Sequence, residues 1–400
     1  MNVPTRASRF NAANVERAAW IVGVVGALLF AFAAYADRTS AFQSYLYVWW
    51  FLLGIPLGSM VMLMTHNMTG GAWGEAIRPT LDAAARLLPL SLLLVVPLLF
   101  GLHDLYAWSR PDVLASDPLL RAKTWYLSVD YFVLRNAVYF LAWLVLAHLL
   151  RKWAFARAPQ ATLAQAQRLR AISAIGMLVY ALTMTLAAVD WIMSLMPHWY
   201  STTFGFLTGI GQATAAFSFA IVCTASRVGA RAAGGIGPAS DPAADCTDDV
   251  RDRFQDLGNL LLMFVMTWAY LAFTQYLIIW AEDLPNEIAW YLPRVNTSWH
   301  DVALFLVAFH FALPLLVLLS RRAKRAPRAL GALAALLLFA HLVDTYWLVV
   351  PAFRLDGIAV AWSDVPAIAA LGGIWLAVFL HMARRTAARF VAPEARTVVR

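Results

Sequence analysis

Two aspartates stand near the ends of long apolar segments, each of them seven residues before a proline. Asp190 precedes Pro197, and Asp344 precedes Pro351. A charged side chain at membrane depth costs about 2.5–3.5 kcal/mol even on the translocon-insertion scale, so it usually faces a bundle interior, a water-filled cavity or a partner. A carboxylate in that setting can pair with a cation or exchange a proton. The recurrence of the pattern also indicates a duplicated fold.

Two histidines belong with Asp344. His341 lies one turn before it, and His310 and His341 are expected at the same depth, about 15 Å below the membrane boundary at about 1.5 Å per residue. Three interpretations of the pair stay open: ligation of a b-type haem, a hydrogen-bonded pair in the core, or a relay that passes a proton toward Asp344. The segment of Asp190 adds hydroxyl groups for such a relay, at Tyr180, Thr183 and Thr185.

A second polar set is predicted around Asp190. Its members are the candidates for a quinol-type pocket, namely His103, Asp104, Asp130, Arg135 and Asp190. Arg135 and Asp190 are expected at similar depth on antiparallel helices, so a salt bridge between them is geometrically feasible. Two interpretations follow: either the two charges neutralise each other, or the set binds a quinone-like head group or handles protons.

The composition identifies the elements that must position these residues. Of the 400 residues, 62% are hydrophobic and 14% are charged, whereas an average soluble domain has about 25% charged residues. The chain is therefore predicted to be an all-α integral membrane protein. Segments of about 20 apolar residues cross the hydrocarbon core, and the sequence holds ten of them, at 19–35, 44–65, 83–102, 131–150, 171–195, 203–225, 259–280, 301–320, 329–350 and 364–382.

Lysine and arginine are concentrated on alternate connections. On the side of the N-terminus lie 24 of the 31 Lys and Arg residues, with basic runs at 151–170 and 321–328. The positive-inside rule therefore predicts a multi-pass membrane protein with both termini in the cytoplasm. The first span is expected to be retained, because no small-residue cleavage site follows it. The net charge of +8 suits anionic lipid in the bilayer and is no argument for nucleic acid.

The cysteine content argues against several chemistries. Cys223 and Cys246 are the only two cysteines, so the sequence has no Cys-x-x-Cys, no covalent haem motif and no iron–sulfur ligand set. The Gly/Ala/Pro-rich segment 228–242 lacks the Lys-Ser/Thr of a phosphate-binding loop. We therefore expect no metal site and no redox cofactor in this chain, and no ATP-driven transport.

The spans divide into two sets of four. Spans 2–5 and 6–9 each have a strongly basic connection before their last helix and each end with the Asp-to-Pro pattern. Parallel repeats of this kind place polar sites at equivalent depths. The predicted organisation is residues 1–43 with span 1, a four-helix bundle at 44–200, a second at 201–352, and 353–400 with span 10 and a cytoplasmic tail. Spans 1 and 10 are expected at the periphery.

Four sequence runs resemble a known family. They read HNMTGGAWGEAIRPTLDAAARLLPL at 66–90, LFGLHDLYAW at 99–108, QYLIIWAEDLPNEIAWYLPR at 275–294 and VALFLVAFHFALPLLVLLSRR at 302–322. The runs look like ActF, the second large membrane subunit of bacterial alternative complex III. That complex is a quinol:cytochrome c oxidoreductase, and its membrane subunits are related to the NrfD/PsrC-type anchors. The resemblance covers about residues 15–385.

The resemblance implies two four-helix bundles flanked by one helix on each side. It also implies partner subunits: an ActC-like membrane subunit with the better-supported quinol site, an iron–sulfur protein, and haem c subunits. Proton pathways have been proposed in both membrane subunits of the family. Polar family positions are matched by His103, Asp190, His341 and Asp344. The usual Leu-Pro-Glu-Glu is Leu-Pro-Asn-Glu at 284–287, which weakens any role tied to the first of those glutamates.

Three functional hypotheses follow. The first is a cofactor-free subunit of a quinol-oxidising complex that contributes structure and a proton route. The second is a stand-alone secondary transporter with parallel repeats; it is weakened because Pro56 in span 2 has no proline counterpart in span 6, although Gly209 and Gly211 leave it open. The third is a subunit that itself binds and oxidises quinol at the Asp190 pocket.

Overall fold

A computed structural model describes residues 12–157, 161–233 and 243–391. These residues form helices and connections and contain no strand. Ten of the helices are long and apolar enough to cross a membrane. The predicted all-α, multi-pass membrane protein is therefore confirmed for the described part of the chain.

Each predicted apolar segment corresponds to one of these ten helices. They are α1 (Ala12–Ala36), α2 (Arg38–Thr69), α3 (Ala72–Phe100), α4 (Val129–Lys152), α5 (Leu163–Trp191), α6 (Phe204–Ala233), α7 (Ala243–Glu282), α8 (Trp299–Leu319), α9 (Pro327–Val349) and α10 (Asp364–Val391). We call the face of the helix array that carries the α2–α3, α4–α5 and α8–α9 connections the basic face. The other end of the helices is the opposite face.

The α2–α3 connection is a tight glycine turn. Gly70 and Gly71 have φ angles of 72° and 100°, a region that only glycine enters at no steric cost. Helix α3 then begins at Ala72, eleven residues before the predicted segment at 83–102. The predicted apolar segment begins late because Arg78 and Asp82 count as polar residues. In the helix their side chains approach to 3.7 Å, so the two charges partly compensate each other.

Helices α2 and α6 form the centre of the array. In the most apolar stretch of α2, 89% of the residues are buried within the protein, and in that of α6 72% are, against 22% in α1 and in α8. Helix α2 contacts α3, α5, α6, α9 and α10, while α6 contacts α5, α7 and α9 as well. Most polar side chains in the apolar stretches of α2 and α6 are therefore buried within the protein.

Helices α1 and α10 pack along each other. A Cβ atom on Gly26 would lie 2.4 Å from the backbone nitrogen of Ala370, and one on Gly23 would lie 2.8 Å from that of Ile374. Small residues at such crossings let two backbones approach closely, which is the main source of helix association in lipid. The arrangement differs from the one flanking helix on each side that the resemblance implies, because the terminal helices meet at one edge and α10 also contacts α2 and α3.

We expect Gly26→Ala to lower the free energy of unfolding by about 1–3 kcal/mol, because the added methyl group would push two backbones apart. Thermal unfolding of the protein in detergent measures the change. Gly372→Ala is the matched control, since a Cβ there meets no atom within 4 Å, and it should be neutral or slightly stabilising. Equal stability of the two variants would contradict the close α1–α10 contact.

Candidate functional site

His310, His341 and Asp344 come together inside the helix array, on α8 and α9. Nδ1 of His341 lies 3.6 Å from Oδ2 of Asp344, and the ring centroids of His310 and His341 are 6.1 Å apart. Their exposed fractions are 1%, 6% and 4%. A separation of 3.6 Å exceeds a hydrogen bond. The contact is therefore an ion pair only when the imidazole of His341 carries a proton.

The two imidazoles are poor in hydrogen bonds. Both ring nitrogens of His310 and Nδ1 of His341 are buried and have no hydrogen-bond partner among the described residues. The predicted hydrogen-bonded histidine pair is therefore not formed. The indole of Trp268 packs edge-on against His310, with 4.1 Å between centroids. In the part of the chain that the structure describes, no cluster of three or more His, Cys, Asp or Glu side chains could hold a metal ion.

A π-helical turn at Val307–Ala312 presents His310 to the interior. In an α-helix the N–H of residue 314 would bond to the carbonyl of His310, but Pro314 has no N–H. The backbone widens over this turn instead. Single π-helical turns inside α-helices recur at functional sites because they re-aim side chains.

The ring of His341 lies where α2, α6 and α9 meet. It is 5.9 Å from the ring of Phe51, centroid to centroid. A Cβ atom on Gly211 would be 2.7 Å from its Cε1, so the absence of a side chain at residue 211 makes room for the imidazole. Mid-membrane burial against three helices fixes the direction of the ring.

A cavity of about 670 Å³ lies between α7, α8 and α9 and reaches Asp344. Its volume falls within the range of about 300–1,000 Å³ that is usual for small-molecule sites. Polar side chains line the end at the opposite face, and apolar ones, including Met266 and Phe311, line the deeper end. The cavity opens toward lipid, because Tyr270 and Phe273 on its rim are 66% and 62% exposed.

Arg294 closes the polar end of this cavity, and the sequence analysis did not single it out. It is 1% exposed and has no carboxylate partner among the described ion pairs. Its guanidinium donates to the carbonyls of Trp290 at 2.7 Å, Leu348 at 3.1 Å and Trp347 at 3.3 Å. The last two belong to the C-terminal turn of α9, where a cation is stabilised by the helix dipole. Burial lowers the pKa of Arg294 to about 9, so the group stays charged at neutral pH.

Asp190 is fully buried and its carboxylate is fully engaged. Arg135 donates to both oxygens, Nε to Oδ2 at 3.0 Å and Nη2 to Oδ1 at 2.8 Å, and Tyr139 donates its hydroxyl to Oδ2 at 2.9 Å. The ring of Tyr126 stacks under the guanidinium, 3.9 Å from its carbon. The two charges therefore neutralise each other, as the first of the two interpretations has it.

The other members of the predicted quinol-type set do not join Asp190. The side chain of Asp104 pairs instead with Arg38 at 3.0 Å. His103 and Asp130 are exposed, whereas the Asp190 side chain is 0% exposed. The sequence places all of these residues at a similar depth, but depth does not fix the side of a helix on which a residue lies.

Three hydroxyl residues on α5 are predicted as relay steps, and one of them, Tyr180, donates a hydrogen bond to a different helix. Tyr180 donates to Oε1 of Gln212 on α6 at 2.9 Å. Thr183 and Thr185 donate to the carbonyls of Val179 and Ala181 on their own helix, at 2.7 Å each. The sequence analysis missed Gln212, because a single buried glutamine carries no motif.

Compared with known proteins, the chain matches no protein-family model and no curated sequence. The geometry of its own residues therefore carries the functional argument, and the resemblance to alternative complex III stays a prediction.

Removing Arg135 should destabilise the protein strongly, because it leaves the carboxylate of Asp190 buried without a cation. We expect Arg135→Gln to cost about 3–5 kcal/mol in unfolding free energy, and the double variant Arg135→Met, Asp190→Leu to recover most of that loss. Chemical unfolding in mixed micelles measures both.

The exposed pair of Arg38 and Asp104 provides the control for this prediction. Arg38 is 63% exposed at the side chain, so Arg38→Gln should cost at most about 1 kcal/mol. If the double variant were no more stable than Arg135→Gln alone, the prediction would be wrong. The ion pair would then stabilise the fold by more than removing an unpaired buried charge.

Proposed function

We propose that this chain is a cofactor-free integral membrane subunit of a quinol:cytochrome c oxidoreductase of the alternative complex III type. Its own chemical task is to take up and release protons at His310, His341 and Asp344. One observation carries the proposal: two histidines and a carboxylate lie together within the helix array, with ring nitrogen atoms that no group among the described residues satisfies.

The chemistry needs no cofactor in the chain. An imidazole changes charge near neutral pH, and a neutral Asp344 or His341 is far cheaper inside the membrane than an isolated ion. A proton that leaves Nδ1 of protonated His341 for Oδ2 of Asp344 turns an ion pair into two neutral groups. The two atoms are 3.6 Å apart. A small side-chain rotation would bring them within hydrogen-bonding distance, or one water molecule could bridge them.

The complex and its membrane are proposed from the sequence. The four runs that resemble ActF imply an ActC-like membrane subunit as the nearest partner, with iron–sulfur clusters and haem c in further subunits. Quinol oxidation in such a complex releases protons and electrons together. A neighbouring subunit that conducts protons could therefore couple electron transfer to proton movement across the membrane. The same resemblance implies the bacterial inner membrane, and the excess of lysine and arginine on one side supports cytoplasmic termini.

We also propose that α2–α5 and α6–α9 are two copies of one four-helix bundle. The support is a matching contact pattern. In each set successive helices touch, and the first helix also touches the last. The contacts between the sets match as well, because α2 touches α9 and α6 touches α5. A duplication with an axis along the membrane normal relates Asp190 to Asp344.

The proton role is tested in the assembled complex. We expect Asp344→Asn, and separately His341→Ala, to lower the number of protons released per electron toward the ratio that quinol oxidation itself supplies. Proton release and quinol oxidation are measured together in reconstituted vesicles. Asp301→Asn is the control, because Asp301 is exposed at the same face as the cavity's polar end and should leave the ratio unchanged.

An unchanged proton ratio in both variants would end the proton-handling proposal. Purification of the native chain tests the rest independently. Co-purifying subunits with haem c and iron–sulfur clusters are expected, and a chain that purifies reproducibly alone would contradict the oxidoreductase assignment.

Quinol binding by this chain is the second candidate function, and the cavity at Asp344 favours it. Asp344 can accept a hydrogen bond from a hydroxyl group, while the guanidinium of Arg294 at the same wall can donate one to an oxygen atom. The apolar depth and the opening to lipid suit a hydrocarbon tail. This location differs from the Asp190 set, whose carboxylate is already occupied.

Filling the cavity tests quinol binding. Ala303 lines it, and we expect Ala303→Trp to abolish labelling of α7 and α8 by a photoreactive quinone, because an indole occupies the space of the head group. Ala31→Trp, on the exposed face of α1, is the size-matched control and should not change labelling. Labelling that is equal in the two variants would rule out this pocket.

A further inference from the structure

The two central helices, α2 and α6, carry three buried polar side chains that the proton site does not use. Ser59, Gln212 and Ser218 are 0%, 2% and 0% exposed. The hydroxyl oxygens of both serines and Nε2 of Gln212 have no hydrogen-bond partner among the described residues. Such groups are rare in proteins, and a buried site with several of them usually holds ordered water.

The hydroxyl of Ser218 contrasts with the other hydroxyl groups on its helix. Thr208, Thr214 and Thr224 of α6 each donate to the carbonyl four residues earlier, at 2.9, 2.7 and 2.8 Å. That bond is the ordinary way to satisfy a hydroxyl group inside a membrane helix. Because Ser218 does not make it, its hydroxyl is free for a water molecule. The hydroxyl of Ser59 on α2 likewise has no hydrogen-bond partner among the described residues.

Glycines on α2 leave space for the side chain of Gln212. A Cβ atom on Gly54 would lie 3.0 Å from Cγ of Gln212. A Cβ atom on Gly58 would lie 2.1 Å from the backbone carbonyl oxygen of Gln212, so the two helices also approach closely at this level. Tyr180 fixes the amide from the far side by donating to Oε1 at 2.9 Å. This hydrogen bond leaves the Nε2 donors of Gln212 for other partners.

Two of these groups, Gln212 and Ser218, follow Gly211 along α6 in the direction of the basic face. Gln212 follows Gly211, against which the ring of His341 packs. Ser218 lies six residues further along α6, about 9 Å closer to the basic face. Further on, the guanidinium of Arg227 bonds to the hydroxyls of Thr80 and Thr224, so polar groups continue to the end of the helices.

We propose that Gln212, Ser59 and Ser218 hold a chain of internal water molecules that connects His341 with the basic face of the protein. Asp344 and the cavity provide the connection to the opposite face, so each face has its own route to the histidines. The water chain rests on the proposed proton function, because it gives that site a second entrance. Gln212 acts as a positioning residue: Tyr180 orients its amide, and the amide orients water next to the imidazole.

The experiment uses the full chain in vesicles with a known orientation. The pH is changed rapidly on one face at a time, and infrared bands of isotope-labelled histidine are recorded. The response of His310 and His341 is the difference between these bands and those of a protein that carries His310→Gln and His341→Gln. We expect Gln212→Leu and Ser218→Ala to slow the response to a pH change at the basic face by about tenfold or more. The response to a change at the opposite face should keep its wild-type rate.

The control is Thr214→Val, which removes a buried hydroxyl from the same helix that already bonds to the carbonyl of Ile210. It should leave both rates unchanged. Ser218→Ala removes a single oxygen atom, so it tests the water chain even where Gln212→Leu folds poorly. Wild-type rates from the basic face in both variants, or equal slowing from both faces, would overturn the water chain. Wild-type protein without a histidine response at either face would instead overturn the proton function.

Discussion

A polar group inside the hydrocarbon core has to find its partner within the protein, because lipid offers none. This constraint determines the architecture. Helices α2 and α6 carry many of the interior polar groups and lie at the centre, whereas α1 and α8 expose apolar side chains to lipid. Exceptions to the constraint are informative, since a buried polar atom that stays unsatisfied costs about 1–3 kcal/mol. Among the described residues, the exceptions with imidazole rings lie on α8 and α9, at His310 and His341.

The two aspartates of the repeated sequence pattern meet the constraint in opposite ways. Asp190 has a bidentate arginine and a tyrosine hydroxyl, and its charge is permanently compensated. Asp344 has a histidine at 3.6 Å, whose charge depends on a proton, and a cavity beside it. A carboxylate whose one ion-pair partner among the described residues is a histidine can exchange a proton with that partner. The two aspartates therefore differ in their chemistry: Asp190 belongs to a fixed ion pair, and Asp344 belongs to the proposed proton site.

Much of the fold could be predicted from the sequence, and much of the site could not. Ten apolar segments predict ten helices because crossing the membrane requires about 20 apolar residues whatever the neighbours are. The start of α3 at Ala72 is not predictable from hydropathy, because Arg78 and Asp82 are charged residues that pair with each other within the helix. Sequence position predicts only that Asp190 has a depth similar to that of His103, Asp104 and Asp130. In the structure those three side chains lie on other sides of their helices, away from Asp190. Gln212 and Arg294 gain their importance from residues distant in the chain, which a local pattern does not contain.

The central claim is that Asp344, and not Asp190, changes its protonation state in the membrane. Infrared difference spectroscopy of the assembled complex, recorded between its resting and quinol-reduced states, measures protonation of buried carboxyl groups directly. A carboxyl band is predicted that disappears in Asp344→Asn and persists in Asp190→Asn. Absence of such a band in the wild-type protein, or its loss in Asp190→Asn alone, would contradict the claim.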